Sequence, residues 1–320
     1  MSTSTSPPVS ETQDKTALFA FLALLVTMLM FGSAFASSKF VVNTLPFEVA
    51  AALRFCGGSV FLIILSIFLR NKQETVSIAV STKFALAGLL GVFAYNVMFF
   101  LGLSLAPSMD GSIIVPVLSP IITLAILLFM KKETASYARI FGMALGLIGA
   151  SMFLFEAIDT ESSSSRAIGD LYFVLGAACW GAYSIVSKGL FSKHKLSPLL
   201  ATTYSTLGGT LLLVIFSLPK LTEVDWASVP MFVWANIIYL SIGPTAVAYL
   251  FYFYALRTVS ASTATIMMFT VPVFGVAFSS VFLNESILPS QIAGAFLMLA
   301  GSLIATGILT TLKNNKKEKQ

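Results

Sequence analysis

One stretch of this chain is used twice. The segment LSPIITLAILLFMKKETASYARIFGMALGLIGA around Pro120 returns as TVPVFGVAFSSVFLNESILPSQIAGAFLMLAGS around Pro272. Pro120, Glu133, Gly142 and Gly149 thus fall on Pro272, Glu285, Gly294 and Gly301 without a gap. The same offset sets Gly91 on Gly243 and Pro46 on Pro198, and a three-residue adjustment sets Gly32 and Lys39 on Gly181 and Lys188. Duplication on this scale limits the architecture before any element is assigned, because both units must fold in the same way.

The solvent for that fold follows from composition. Of 320 residues, 57% are apolar and only 10% charged, with a mean hydropathy of +0.91. A water-soluble domain carries roughly a quarter charged residues, so the chain reads as an integral membrane protein. Ten apolar runs are long enough to cross about 30 Å of hydrocarbon. They cover approximately 16–37, 47–69, 83–104, 107–130, 136–155, 168–188, 197–218, 228–256, 261–283 and 288–311. Helix is the expected form, since a lipid-facing backbone must satisfy its own hydrogen bonds and the alternation of a barrel strand is absent.

Basic residues set the expected orientation. With the amino terminus inside, the inner segments carry Lys15; Arg70, Lys72 and Lys83; Lys131, Lys132 and Arg139; Lys188, Lys193 and Lys195; Arg257; and Lys313, Lys316, Lys317 and Lys319. The outer segments carry only Lys39, Arg166 and Lys220. That asymmetry predicts both termini in the cytoplasm and a multi-pass protein of the cell membrane. It also accounts for the net charge of +5 without a nucleic-acid partner. Five spans per unit is an odd number, so the second unit enters the membrane from the opposite face. The expected fold class is therefore all-α integral membrane, with ten transmembrane helices as two inverted five-helix repeats. Residues 16–156 and 167–312 form the repeats, 1–15 a disordered cytoplasmic tail, and 313–320 a basic cytoplasmic tail. Inverted repeats recur where a substrate site near the midplane is opened alternately to either side.

At this point the residues resemble a known family. An aromatic-Gly pair stands late in the first helix of each half (Phe31-Gly32, Trp180-Gly181), with a Lys seven positions past each Gly (Lys39, Lys188). A mid-span Pro follows in the fourth helix (Pro120, Pro272), and an acid before the fifth (Glu133, Glu285). This pattern, over about residues 16–312, is similar to the EamA-type branch of the drug/metabolite transporter superfamily; Phe31 stands where that family usually has Trp. The resemblance implies a secondary transporter, an exporter of small organic metabolites such as amino acids or related amphipathic compounds, with no cofactor.

No carboxylate lies mid-span, which favours a facilitator or exchanger over a proton-coupled drug or amino-acid antiporter. Glu48 and Asp110, both at the outer mouth, are the candidates for a gate or for coupling; the plainer reading is a carboxylate at a helix start facing water. Arg54 is the one charge well inside a span, where insertion costs about 2.5–3.5 kcal/mol. It is expected to bind an anionic substrate group or pair with Asp110, or else to snorkel outward or cap carbonyls. Tyr95, Asn96 and Phe99, Trp180 and Tyr183, and Tyr249 and Tyr252 are expected to line a central cavity, with Ser112 and Ser119 on the fourth helix and Thr263, Met268 and Thr270 on the ninth. Core packing is the competing explanation for each.

Pro120 and Pro272 are hinge candidates, because each removes a backbone donor. Gly142, Gly149, Gly294 and Gly301, seven apart on their helices, read as close-packing faces for a homodimer or within a monomeric bundle. An intramembrane enzyme would need paired catalytic side chains inside the spans, yet His194, the only histidine, lies between two lysines in a loop. No metal-ligand spacing joins it to Cys56 or Cys179.

Overall fold

In the computed structural model, the described residues are 9–69, 74, 76–157, 164–283 and 289–306; of 9–15, 153–157, 279–280, 282–283 and 291 only the backbone is described. Glu285, residues 1–8 of the expected amino-terminal tail and the expected basic tail 313–320 lie outside them; residues 9–15, expected to be disordered, continue the first helix instead. Among the described residues there is no strand, and ten helical segments follow one another. They are α1 (Val9–Val42), α2 (Phe47–Leu69), α3 (Ile78–Leu105), α4 (Ser108–Phe129) and α5 (Tyr137–Ala157), then α6 (Ser164–Lys193), α7 (Pro198–Leu221), α8 (Met231–Thr258), α9 (261–283) and α10 (Pro289–Thr306). α1 is longer than the apolar run that begins near residue 16. Eight segments are long and apolar enough to cross a membrane; Tyr137–Met152 and Ile292–Thr306 are shorter apolar helices.

The face where α1 begins is called proximal here and the other distal. Proximal helix starts are capped by serine hydroxyls: Ser77, Ser197 and Ser260 accept from the N–H groups of Val80, Leu200 and Thr263. Three distal starts carry proline, Pro107 and Pro230 as the residue just before the helix and Pro289 as the first described residue of α10, and Pro198 follows the Ser197 cap. Proline there has no donor to lose and a φ already set for helix.

Two pairs of equivalent helices show how the repeats are related. A methyl built on Gly142 of α5 would lie 2.5 Å from Gly301 O of α10, and one on Gly149 would lie 2.5 Å from Gly294 O. The partner number falls as the first rises, so α5 and α10 run antiparallel. α2 and α7 do the same: Ser59 Oγ meets Thr210 Oγ1 at 2.9 Å and Ser66 Oγ meets Thr203 Oγ1 at 2.9 Å. Equivalent helices pointing opposite ways are the direct mark of inversion. The four glycines face one another within the bundle, where the absence of side chains lets two backbones touch.

The remaining contacts exchange in pairs. α1 packs on α8 and α9 as α6 packs on α3 and α4, and α2 packs on α8 as α7 packs on α3. Gly57-Gly58 of α2 press on Ser241 and Thr245 of α8, while Gly208-Gly209 of α7 press on Ala85, Gly88 and Val92 of α3.

Candidate substrate site

Where the two repeats meet, Trp180 of α6 lies among five rings drawn from four helices. Ring centroids of Phe31, Tyr95, Tyr183, Tyr249 and Tyr252 lie 5.3, 5.1, 5.6, 5.4 and 5.1 Å from it. Phe99 joins through Tyr95 at 5.8 Å and through Phe35 at 5.1 Å. Trp180, Tyr183, Tyr249 and Tyr252 are all within 1% of full burial. The sequence places these residues around a cavity; the structure brings them together but packs the rings on one another, Phe31 and Tyr249 edge to face on Trp180 and the others tilted against it. Such arrangements are favoured by the ring quadrupoles and fill space with few voids.

The helices that carry this cluster are locally widened. α3 contains a π-helical turn at Leu89–Ala94 and α8 one at Ser241–Val247, the second including Pro244. A π turn leaves carbonyls without their usual helical partners, and such turns often mark functional sites. In α3 side chains fill the vacancy: Tyr249 OH donates to Gly91 O at 3.1 Å, and Asn96 Nδ2 donates to Val92 O at 2.9 Å. Gly91 has to be glycine here, since a methyl would lie 2.2 Å from the Tyr183 ring. Tyr252 OH meets Ser184 Oγ at 2.6 Å and Tyr183 OH meets Ser205 Oγ at 3.0 Å. Tyr183, Tyr249 and Tyr252 thus each keep a polar partner inside the apolar cluster.

Arg54 borders the cluster. It is 4% exposed, so it does not snorkel to the surface. Nε donates to Thr245 Oγ1 at 2.9 Å, and Ser241 Oγ returns a bond to Arg54 O at 2.9 Å, tying α2 to the π turn of α8. The guanidinium lies 5.2, 5.8 and 5.8 Å from the ring centres of Phe55, Phe99 and Phe100. Guanidinium is weakly hydrated and stacks on aromatic faces, which eases its burial.

The expected Arg54–Asp110 pair is not formed. Asp110, in the first turn of α4, is held by Arg166 of α6, with Nε to Oδ2 at 2.8 Å and NH2 to Oδ1 at 3.0 Å. The reason is axial distance. Both acid and Arg166 start their helices at the distal face, whereas Arg54 lies two turns into α2. Asp170, one turn past Arg166, completes a group of two carboxylates around one arginine. Glu48 sits half-buried at the start of α2, also distal, where Lys220 and Glu223 pair at 2.9 Å.

The proximal face has a counterpart. Ser262, the repeat equivalent of Asp110, donates to Glu133 Oε2 at 2.6 Å, and the same oxygen takes Arg139 NH1 at 2.6 Å. Lys39 and Lys188 are helix caps: Lys39 Nζ donates to Leu103 O and Ala106 O at the end of α3, and Lys188 Nζ to Leu256 O and Arg257 O at the end of α8.

α4 and α9 supply less of the cluster than expected. Ser119 Oγ donates to Val115 O and reaches Ala177 O of α6 at 3.2 Å. Ser112 and Thr270 hydroxyls are spent on their own helices, Thr270 on Met267 O at 2.9 Å, and Thr263 belongs to the Ser260 cap. Met268 is buried at a 3₁₀ turn, Met267–Thr270, which precedes Pro272 and tightens the backbone where that proline withholds its donor. Pro116 and Pro120 lie inside α4, which continues through both.

Neither the Gly57-Gly58 and Gly208-Gly209 pairs nor Arg166 and Thr245 stood out in the sequence. The doubled glycines, at an offset of 151 (57 to 208), carried the signal for the first.

A membrane bundle of inverted five-helix repeats with an aromatic core at their junction defines a secondary-transporter architecture. The chain belongs to the EamA-like transporter family, which matches residues 18–155 and again 167–307. It is therefore a multi-pass membrane transporter and not an enzyme. It is 25% identical over 299 residues to "Uncharacterized transporter YyaM" of Bacillus subtilis (strain 168), covering 93% of this chain and 97% of that one. It is 26% identical over 223 residues to the "Probable terminal-alkyne amino-acid exporter" of Streptantibioticus cattleyicolor, covering 69% of this chain and 71% of the relative. A solved crystal structure, 19% identical, superposes with a TM-score of 0.72 over 93% of this chain and 98% of its own, a likeness of fold.

Proposed function

We propose that this chain exports a small organic metabolite, an amino acid or a related amphipathic compound, across the cytoplasmic membrane by alternating access. In this reading the proximal face is cytoplasmic, which the lysine and arginine asymmetry supports, with both termini on that side. Work as a facilitator or exchanger agrees with a core in which, among the described residues, no carboxylate borders Trp180. The observation that carries the reading is the aromatic cluster at the junction of two inverted repeats, the position at which such folds hold their substrates. A relative described as a probable terminal-alkyne amino-acid exporter points the same way for the substrate class. Purified protein in liposomes should release preloaded amino acids or similar solutes at a rate unchanged by an imposed pH gradient.

A second reading, proton-coupled antiport, draws support from Asp110, Arg166 and Asp170, two carboxylates about one cation at the distal face. Flux that collapses when the pH gradient is removed would select it. Fusing a reporter active on only one side of the membrane to each terminus tests the orientation; ends on opposite sides would refute the five-plus-five arrangement.

A further inference from the structure

Arg54 is buried with most of its hydrogen-bonding capacity unspent. Of its nitrogens only Nε has a hydrogen-bond partner among the described residues, Thr245 Oγ1. Its two terminal nitrogens carry four N–H groups and stand among the rings of Phe55, Phe99 and Phe100, which accept no conventional hydrogen bond. An arginine residue left only 4% exposed normally meets a carboxylate there. The buried acid, Asp110, is already held by Arg166 through both oxygens.

We propose that Arg54 is the substrate's oxyanion anchor, and that the substrate is a monocarboxylate with an apolar or aromatic body. This rests on the reading of the chain as a transporter of small organic solutes. The parallel N–H donors of a guanidinium match the two oxygens of a carboxylate in a bidentate pair. The charge count selects a singly charged oxyanion such as a carboxylate over a dianionic phosphate monoester: one buried cation neutralises one negative charge, and a dianion would be left with an uncompensated charge in a low-dielectric site. Body selection follows from the surroundings. The fork lies against three phenylalanines, and Phe55 leads at 6.0 Å to Tyr249 and from there to Trp180. An aromatic or branched aliphatic group bound beside the carboxylate would replace ring-on-ring contacts already present. Thr245 holds the guanidinium plane by its Nε, which leaves the fork preset for the ligand.

The test uses the full-length protein in detergent and matched pairs of probes: phenylacetate with phenylacetamide, and phenylalanine with phenylalaninamide. Each pair exchanges the oxyanion for a neutral amide on the same body; phenylacetate with phenylacetamide does so with no second charged group present. The acids should raise the thermal midpoint in a saturable way, and the amides should not. Arg54→Gln should weaken the acids by at least about tenfold, and Arg54→Lys, which keeps the charge and loses the fork, by about tenfold.

Equal stabilisation by acid and amide would overturn the proposal. So would an Arg54→Gln variant that binds the acids like the parent, or acids that fail to bind at about 10 mM, above the usual range of KM. If Arg54→Gln does not fold, the acid-against-amide comparison on the parent chain decides alone. Flux in proteoliposomes separates this assignment from the transporter reading. A chain that moves only neutral or cationic solutes keeps the transport and loses the anchor. One that binds acids at Arg54 but moves no solute keeps the anchor and loses the transport.

Discussion

Replacing Gly142 by alanine puts a methyl group into the closest helix contact in the bundle that joins equivalent elements. Its Cβ would stand 2.5 Å from Gly301 O, 2.7 Å from Ala305 N and 2.8 Å from Ala305 Cβ. An ordinary carbon–oxygen contact needs about 3.3 Å, so α5 and α10 must separate by a little under about 1 Å. A gap of that size forfeits roughly a quarter to a half of each dispersion contact along the seam. Overpacking of this kind costs about 1–3 kcal/mol. Gly301→Ala should cost about the same, since its methyl presses on Gly142 O and Gly146 N from the other side. The double variant should cost less than the two together by about 1 kcal/mol, because one separation of the helices relieves both methyls.

Gly189 supplies the control. Nothing lies within 4 Å of a methyl built there, so Gly189→Ala should be neutral or stabilising by up to about 1 kcal/mol from helix propensity alone. Equilibrium unfolding in mixed detergent micelles, followed by tryptophan fluorescence, measures all four variants. Gly142→Ala as harmless as Gly189→Ala, or a double variant that is strictly additive, would refute the packing described for this pair.

Other substitutions test other contacts. Asp110→Asn should destabilise by about 1–3 kcal/mol by leaving Arg166 without its fork partner, and the swap of Asp110→Arg with Arg166→Asp should restore part of it; the same unfolding assay reads both, and no recovery in the swap argues against a direct pair. Tyr249→Phe removes the donor to Gly91 O in the π turn of α3 and should cost about 1–3 kcal/mol, with hydrogen exchange rising first at residues 89–96. Lys39→Met and Lys188→Met each uncap the end of a third helix, and should lower stability by similar amounts of about 1 kcal/mol; a large loss for one and none for the other would deny their equivalence.

The duplication was legible because it rests on residues that cannot be exchanged freely. Gly142 and Gly301 touch backbone to backbone, and Lys39 and Lys188 close equivalent helix ends, so each pair stands out by identity at a fixed offset. Composition carried the ten segments for the same reason, since hydrocarbon leaves no other place for the backbone donors. Partner choice was not legible. Asp110 meets a residue 56 positions away, and Arg54 meets Thr245 across 191; sequence spacing holds no record of which helices lie side by side. The π turns were hidden as well. The one in α3 contains no proline, and its widened carbonyls become visible only through Tyr249, which comes from the other repeat.

The first helices of the two halves meet their neighbours at matched positions with unmatched spacing. A methyl on Gly32 would lie 2.9 Å from Val271 O and 2.9 Å from Gly275 N, whereas one on Gly181 would lie 3.4 Å from Ser119 O and 3.6 Å from Thr123 N. These are the same backbone atoms in two copies, clasped in one and slack in the other, where a side-chain oxygen, Thr123 Oγ1 at 2.8 Å, stands nearest instead. Under the alternating access proposed above, trading the clasp for the slack would give a second shape from the same parts, turned over end for end. A bulkier residue at one copy alone should tip the balance between the shapes, and the same change at both should level it again.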